Sequence, residues 1–332
     1  MGDAVNRLRV GVVGAGAMGA AHVRTLATAV SGAEVTQVYD LDPDRAAAVA
    51  VSAGASPAPS ESAVIESPDV DAVVIAAPDP LHAELTLACL KRGLPVLCEK
   101  PLATSAEDAL GVLDAEAATG RALVQVGFMR RFDPGYLAMR RALTDGEVGE
   151  PRLLHCVHRN VAAHPTATSE GIVRNSMIHE LDVARWLLDD EIVAIDVRSP
   201  HRGDGLADPQ LATLEMASGV LVSIEVFVNA GYGYDVRSEL VGTDGTVSLE
   251  PPVVTTVRQA GRDAAQVAPD FVARFGAAYR AQLAAWVDAV AAGRIAGATA
   301  WDGYVAGLVA DAGVTSLRTG ERVPVDLPPR QH

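Results

Sequence analysis

The chain has 332 residues, of which 49% are hydrophobic and 21% charged, a length that allows two domains and a composition typical of globular proteins. Its formal net charge of −15 disfavours nucleic acid and anionic membranes as partners. The polar N-terminal residues and the absence of an apolar run of roughly 20 residues predict neither a signal peptide nor a membrane span. The three scattered cysteines show no metal-ligand spacing, so we expect reduced thiols in a cytoplasmic protein.

The first part of the chain alternates short valine-rich runs with helical patterns. The predicted strands are residues 9–13, 34–39, 71–76, 95–98 and 122–126. The predicted helices are residues 17–30, 43–53, 80–92 and 106–119. Strands this short and apolar are typical of parallel sheets that are buried on both faces. The alternation therefore predicts an α/β Rossmann domain with a doubly wound parallel sheet, which we assign to residues 1–127.

After residue 149 the pattern changes to strands that follow one another directly. The predicted strands are residues 151–159, 192–198, 212–216, 220–229, 236–241 and 246–249, and the predicted C-terminal helices are residues 271–292 and 301–318. Ser218-Gly219 and Asp244-Gly245 are hairpin turn signals. Residues 128–332 are therefore predicted to form an α+β domain with a large, mostly antiparallel open sheet, whose C-terminal helices can pack back on the first domain.

A glycine-rich turn connects the first predicted strand to the first helix. Gly14 permits a tight turn, Gly16 lets the backbone approach a pyrophosphate, and Gly19 lets helix and strand pack closely. Asp40 ends the second strand, where an acidic residue would accept hydrogen bonds from the ribose hydroxyls and repel a 2′-phosphate. The turn therefore predicts NAD rather than NADP as cofactor. For Asp40, a helix cap or a solvated loop carboxylate remains open, since Asp42 is close by.

The motif Glu99-Lys100-Pro101 follows a predicted strand, at the sheet edge where parallel sheets bind ligands. Pro101 restricts the backbone of Lys100 to an extended conformation. A lysine beside the nicotinamide can hydrogen-bond a reacting hydroxyl and ease its loss of a proton. A surface lysine beside a proline turn is the alternative. The predicted cofactor-binding residues are Gly14, Gly16, Ala17, Met18, Gly19, Asp40, Glu99 and Lys100.

A polar set of residues surrounds the start of the helix predicted at 179–188. Asn175 lies four residues before His179 and Asp182 three after it, so all three share a face if the helix begins early. Histidine is the natural acid and base near neutral pH. We therefore predict that His179 transfers a proton, although a cap or packing role is the alternative. A metal site that includes His155 or His158 is disfavoured, because no third ligand is evident.

Several stretches of the chain resemble the glucose-fructose oxidoreductase / inositol dehydrogenase superfamily, and among its members the bacterial inositol 2-dehydrogenases. They are residues 14–19, 98–104 (CEKPLAT), 124–133 (VQVGFMRRFD), 149–160 (GEPRLLHCVHRN), 178–188 (IHELDVARWLL), 228–235 (VNAGYGYD) and 299–304 (TAWDGY). The resemblance implies NAD-dependent oxidation of myo-inositol to 2-keto-myo-inositol by a homotetramer. It also implies that Lys100 and His179 are catalytic, with His179 as the proton acceptor. The substrate pocket that it implies is lined by Met129, Arg130, Asn160, Asp182 and Tyr232.

One residue departs from the family pattern. Asn175 stands where members of the family usually carry an aspartate, and an amide orients the histidine ring without supplying negative charge. Two further alternatives remain. The first is an NAD- or NADP-dependent enzyme that acts on another inositol isomer or on an aldose. The second is a non-catalytic protein that senses a nucleotide. The presence of both Lys100 and His179 disfavours the sensor.

Overall fold

A computed structural model describes residues 7–200, 205–250 and 256–329. The chain divides into two compact units. The first contains Met1–Met129 and Ala278–Gly307, and the second contains Arg130–Ala277 and Leu308–His332. None of the helices within the described ranges is both long and apolar enough to cross a membrane.

The first unit is built around a seven-stranded sheet. Its elements in chain order are β1 (Leu8–Val13), α1 (Ala17–Ala29), β2 (Ala33–Tyr39), α2 (Pro43–Ser52), β3 (Ser56–Pro57), α3 (Glu61–Ile65), β4 (Ala72–Ile75), α4 (His82–Lys91), β5 (Val96–Cys98), α5 (Ala106–Thr119) and β6 (Val124–Val126). The strand order is β15-β6-β5-β4-β1-β2-β3, in which β15 (Ala298–Thr299) alone pairs antiparallel. The predicted doubly wound parallel sheet is confirmed. The short elements β3 and α3 lack a periodic pattern long enough to be predicted.

Apolar side chains are buried on both faces of this sheet, and those of one face form a single large cluster. In this cluster the valines of β1, β2 and β4 pack against Val23 and Leu26 of α1. They also pack against Leu283 and Trp286, which lie in the later segment of this unit, Ala278–Gly307. All four side chains are 1% exposed or less. Because the strands are covered on both faces, their side chains do not alternate between apolar and polar, as expected for a parallel sheet.

The second unit contains a larger sheet and the helices on one of its faces. Its elements are α6 (Pro134–Thr144), β7 (Pro151–Arg159), α7 (Ser169–Gly171), a π-helix (Ile172–Met177), α8 (Ile178–Leu188), β8 (Ile192–Arg198), β9 (Gln210–Met216), β10 (Leu221–Phe227), β11 (Asp235–Gly242), β12 (Thr246–Leu249), β13 (Thr256–Gln259) and β14 (Arg262–Ala265). Two long helices, α9 (Phe271–Ala291) and α10 (Ala300–Thr319), and the short strand β16 (Val323–Pro324) complete the chain. Each long helix contributes residues to both units.

The large sheet has the order β12-β11-β7-β10-β9-β8-β16. Its neighbours pair antiparallel except for β7 and β10, which are parallel. The predicted mostly antiparallel sheet is confirmed, and both predicted hairpin turns connect neighbouring strands. Helix α6 was not predicted, although Asp133 caps it through the amides of Gly135 and Tyr136, and Pro134 occupies its first position.

Candidate functional site

The glycine turn of the first unit has little room for side chains at two of its three glycines. Gly14 has φ +97°, and a Cβ there would lie 2.3 Å from the carbonyl oxygen of Ala76. A Cβ on Gly19 would lie 1.8 Å from the carbonyl oxygen of Gly14. A Cβ on Gly16 would meet nothing within 4 Å, so its backbone faces open space at the N-terminus of α1. These are the features that a pyrophosphate at a helix N-terminus requires.

Asp40 lies directly after β2 and next to this turn. Its carboxylate accepts hydrogen bonds from the backbone N–H of Ala15 at 2.6 Å and of Asp42 at 2.9 Å, and from the guanidinium of Arg45 at 2.5 Å. Burial opposes ionisation, but the bonds from Arg45 and the two amides outweigh it and lower the pKa of Asp40. The helix cap is Asp42, which accepts from the amides of Asp44 and Arg45. Asp40 is therefore not the cap of α2.

A cavity of about 490 Å³ lies at this edge of the first sheet. Its lining includes Gly14, Gly16, Asp40, Arg45, Ala76 and Leu81. The cavity therefore joins the glycine turn to the carboxylate that ends β2. The glycines, the ionised carboxylate and the open helix terminus together fit a dinucleotide. Ala17 and Met18 form the first turn of α1 at this place.

Glu99 and Lys100 follow β5 at the carboxyl edge of the same sheet. Glu99 is 6% exposed, and its Oε1 lies 2.8 Å from Nε2 of His22 in α1. Lys100 is half-buried and joins Pro101 through a cis peptide bond. The motif therefore contains one carboxylate with an internal partner and one lysine at the edge where ligands bind.

A second buried histidine contacts the backbone of Pro101, the residue directly after Lys100. His82 is 1% exposed, and its Nδ1 lies 2.6 Å from the carbonyl oxygen of Pro101 and its Nε2 2.8 Å from that of Ala77. A neutral imidazole has only one N–H to donate, so both contacts are satisfied only by the protonated ring. Burial opposes this charge, but interactions with Cys98 and with the two carbonyls outweigh it and raise the pKa of His82 to about 10.

In the second unit, a buried network of charges lies next to His179. Arg130 and Glu180 form an ion pair in which both side chains are 1% exposed. His158 Nδ1 lies 3.2 Å from Nη2 of Arg130 and 3.3 Å from Oε2 of Glu180. Burial opposes ionisation of Glu180, but the charges of Arg130 and His158 lower its pKa below the usual value. Glu180 therefore remains a carboxylate in the interior.

His179 is the second residue of α8 and is 7% exposed. Its ring centroid lies 6.3 Å from that of His158. Asn175 lies four residues earlier in the π-helix, which runs directly into α8. Such π segments are frequent at functional sites, and this one makes the helix continuous from Asn175 through Asp182. The early helix start that the sequence prediction required is therefore present.

The predicted substrate residues have different surroundings. Arg130 and Asp182 are buried in ion pairs with Glu180 and Arg131 respectively. Tyr232 is half-exposed and donates to a carboxylate oxygen of Asp235. Asn160 follows β7, and its buried side-chain oxygen has no hydrogen-bond partner among the residues that the structure describes. Met129, the last residue of the segment that belongs to the first unit, is 1% exposed.

The two histidines considered as metal ligands do not share a face of β7. His155 is exposed and lies 2.7 Å from the hydroxyl of Ser223, whereas His158 is buried. Positions three apart on a strand point to opposite faces. Within residues 7–200, 205–250 and 256–329, no group of three or more histidine, cysteine or carboxylate side chains has the geometry to hold a metal ion.

Sequence reasoning missed several residues of both regions. They are His22, His82, Arg131, His158 as a partner of Arg130, Glu180 and Tyr234. Tyr234 is buried, with its ring 5.6 Å from that of His158. The sequence offered one signal for such residues, a polar side chain at a position where the pattern predicts an apolar one. Such a side chain is buried and needs a hydrogen-bond partner, but the sequence does not show which residue is the partner.

Comparisons with known proteins agree with this geometry. A family model described as an oxidoreductase family with an NAD-binding Rossmann fold matches residues 8–128, and one described as a GFO/IDH/MocA C-terminal domain matches residues 136–248. Inositol 2-dehydrogenase 2 of Saccharopolyspora erythraea is 50% identical over 329 residues, which cover 97% of each chain. The inositol 2-dehydrogenase of Streptomyces avermitilis is 45% identical over 97% of this chain and 96% of its own.

Solved structures show the same similarity along the whole chain. The crystal structure of myo-inositol dehydrogenase from Lactobacillus casei, in complex with NAD(H) and myo-inositol, matches with a TM-score of 0.94 at 34% identity and covers 98% of both chains. A myo-inositol dehydrogenase from Corynebacterium glutamicum matches with a TM-score of 0.89 at 28% identity, over 97% of this chain and 100% of its own. The chain therefore belongs to the GFO/IDH/MocA oxidoreductase family, whose first domain is an NAD-binding Rossmann fold.

Proposed function

We propose that this protein oxidises myo-inositol, or a closely related inositol, to 2-keto-myo-inositol with NAD as the electron acceptor. The observation that carries the proposal is the similarity over almost the whole chain to proteins named inositol 2-dehydrogenase, at identities that reach 52%. The glycine turn, the ionised Asp40 and the cavity between them support the cofactor. The presence of Lys100 and His179 supports a catalytic protein over a nucleotide sensor.

Oxidation of the alcohol removes a hydride from carbon and a proton from oxygen. NAD, when bound, would accept the hydride. His179 receives the hydroxyl proton and then releases it, and Lys100 hydrogen-bonds the reacting oxygen so that the proton leaves more easily. Because hydride and proton leave together from one carbon–oxygen pair, the product is a ketone and no other oxidant is needed.

A polyol needs several hydrogen-bonding partners, because each buried hydroxyl left unpaired costs about 1–3 kcal/mol. We assign the lining of the pocket to Met129, Arg130, Asn160, Asp182 and Tyr232, among which Arg130, Asn160 and Asp182 would supply hydrogen bonds. Asn160 is supported most directly, because its buried oxygen is an acceptor with no partner within the described part of the chain. Arg130 and Asp182 each have an internal ion-pair partner, so we expect them to present only their remaining hydrogen-bonding capacity to a substrate.

Asn175 favours a second candidate substrate. A neutral amide four residues before His179 does not stabilise the imidazolium as a carboxylate would. The site would then be matched to a substrate whose alcohol is easier to oxidise, such as another inositol isomer or an aldose. An assay of NAD reduction with a panel of inositols and aldoses separates the two candidates.

The decisive experiment for the proposed chemistry is substitution of Lys100. Lys100→Met removes the hydrogen bond to the reacting oxygen, so we expect turnover on myo-inositol to fall by about 10³-fold or more. Calorimetry should show nearly unchanged NAD binding, because the glycine turn holds the phosphates. Lys91→Met is the matched control, since Lys91 ends α4 and is exposed and these are the only lysines in the chain. Near-normal turnover in Lys100→Met would contradict a catalytic role and favour the alternative of a surface lysine beside a proline turn.

We also propose a homotetramer that is assembled through the open face of the second sheet. Leu153, Leu211 and Leu221 are exposed on neighbouring strands of this face, where Arg159 and Glu225 form an ion pair at 2.6 Å. Leu153 and Leu221 are cross-strand neighbours, and Leu211 lies opposite Glu225. A face on which exposed leucines alternate with paired charges suits a second copy of the same surface. Analytical ultracentrifugation of Leu221→Arg should give a smaller species than the unsubstituted protein.

The proposed location is the cytoplasm. Cys89, Cys98 and Cys156 are all buried and none forms a disulfide. This usage is typical of reducing compartments. Cell fractionation with an antibody against the protein tests the location.

A further inference from the structure

His22 and Glu99 are two buried side chains that the proposed chemistry does not use, and Glu99 directly precedes Lys100 in the chain. His22 is in α1, and its Nε2 lies 2.8 Å from Oε1 of Glu99, the residue that precedes the lysine. His22 is 1% and Glu99 6% exposed. The contact joins positions 77 residues apart in the chain. It is therefore a specific tertiary connection between α1 and the end of β5.

The remainder of Glu99 is held from other directions. Its backbone N–H donates to the carbonyl oxygen of Ile75 at 2.9 Å, and its Oε2 accepts from the backbone N–H of Lys100 at 3.3 Å. A Cβ at Gly127 would lie 2.8 Å from Oε2, so the carboxylate occupies space that exists only because residue 127 is glycine. One carboxylate therefore contacts His22 through one oxygen and the amide of Lys100 through the other.

The carboxylate keeps its charge in this position. Burial opposes ionisation, but the hydrogen bond and charge of His22, with the charges of Lys100 and His82, hold the pKa of Glu99 below its ordinary value. An ionised carboxylate accepts stronger hydrogen bonds than a neutral one. The contact with His22 is therefore maintained at neutral pH.

The contact between His22 and Glu99 connects the helix that begins at the glycine turn to the residue before Lys100. Helix α1 begins at the glycine turn, and His22 lies three residues after Gly19. The helix whose N-terminus faces the cofactor cavity therefore also carries the group that fixes Glu99. The backbone amide of Lys100 is fixed in turn through Oε2 of the same carboxylate.

We propose that His22 is a positioning residue for Lys100, which it fixes through the carboxylate of Glu99. The catalytic consequence rests on the proposed function, because only a reacting hydroxyl makes the position of the lysine matter for turnover. The position of Lys100 itself is measurable without any substrate. The alternative is that His22 only packs α1, where its ring meets that of Tyr279 edge-on at 5.9 Å.

The small number of lysines makes a direct measurement possible. Reductive methylation with ¹³C-formaldehyde labels Lys91, Lys100 and the α-amino group, and Lys91 serves as an internal reference. The variants are His22→Leu, which removes the hydrogen bond, and His22→Gln, whose amide nitrogen replaces Nε2. Leu26→Ala is the matched control, because Leu26 is equally buried one turn later in α1 and is outside this contact.

We expect the Lys100 resonance to move in His22→Leu and to stay near its original place in His22→Gln and Leu26→Ala. On myo-inositol, kcat of His22→Leu should fall by about 10²-fold, while KM and the Kd for NAD change by less than about threefold. His22→Gln should recover most of kcat. If His22→Leu does not fold, His22→Asn replaces it, since its shorter amide falls short of Oε1.

An unmoved Lys100 resonance in a folded His22→Leu or His22→Asn protein overturns the proposal. An equal loss of kcat in Leu26→Ala also overturns it, because general loosening of α1 would then suffice. If the unsubstituted protein does not oxidise inositols, the proposed function fails, and the resonances alone decide the role of His22.

Discussion

Asp40 illustrates how a residue expected to contact a ligand also has a role within the protein. Its carboxylate is held by Arg45 and by two backbone amides, one of which belongs to Ala15 inside the glycine turn. The charge that would repel a 2′-phosphate therefore also connects β2 to the turn. Arg45 is half-exposed beside it, so we expect the balance between the two charges to influence the preference between NAD and NADP.

The first residue-scale prediction concerns this balance. Asp40→Ser removes the repulsion and releases Arg45 to meet a 2′-phosphate, so the ratio of kcat/KM with NADP to that with NAD should rise on the order of tenfold or more. Asp42→Ser is the control, because serine can still cap α2. Kinetics with both cofactors decide the matter. Equal use of NADP by the unsubstituted protein would contradict the role of Asp40.

The second residue-scale prediction concerns Asn175. A carboxylate at this position would stabilise the imidazolium that forms when His179 accepts a proton, so Asn175→Asp should raise turnover on myo-inositol. The acid limb of the pH profile of kcat/KM should move to higher pH by about one unit. If the limb does not move in a folded variant, Asn175 is not adjacent to the base. If the limb moves and activity falls, the site is matched to another substrate.

At the scale of single elements, two glycines of the turn between β1 and α1 are required for different reasons. A Cβ on Gly19 would collide with the carbonyl oxygen of Gly14, whereas one on Gly16 enters open space. Gly16 also has φ −65°, which alanine adopts without strain. Gly19 therefore serves the packing of the fold, and Gly16 leaves room for the ligand.

This distinction predicts opposite results from the same substitution. Gly19→Ala should lower the free energy of unfolding by about 3 kcal/mol, because the backbone must shift. Gly16→Ala should leave the melting temperature nearly unchanged and weaken NAD binding on the order of tenfold, because the new methyl group occupies the approach of the pyrophosphate. Thermal unfolding and calorimetry measure the two effects. A Gly16→Ala protein that binds NAD normally would place the pyrophosphate elsewhere.

At the scale of the whole molecule, buried charges of opposite sign make stability depend on pH from both sides. The pKa of Glu180 is lowered below 4.5, so its stabilising contribution is complete above that value and is lost as the pH falls through the folded-state pKa. The pKa of His82 is raised from 6.5 to about 10, so its contribution is complete below pH 6.5 and is lost as the pH rises through about 10.

The melting temperature should therefore fall on both sides of a range between pH 4.5 and 6.5. His82→Asn should flatten the alkaline side by about 5 °C, because the variant has no imidazolium to lose. His155→Asn, at an exposed position, is the control. Scanning calorimetry across the pH range tests this expectation, which an unchanged alkaline slope in His82→Asn would contradict.

Local pattern was sufficient for most of the fold. The alternation of valine-rich strands with helices predicted the parallel sheet, and the strands at 151–159, 192–198 and 246–249 have the bounds that the structure shows. The glycine turn could be placed because it needs only a preceding strand and a following helix. These features depend on neighbours in the chain, and therefore the sequence by itself determined them.

The partners of buried polar groups were decided by the tertiary structure alone. His22 contacts Glu99 across 77 positions, and Arg130 contacts Glu180 across 50. A buried polar group must find a partner, but which one depends on where distant segments return in the folded chain. The hydrophobic periodicity of the sequence carries no information about which distant segments come together.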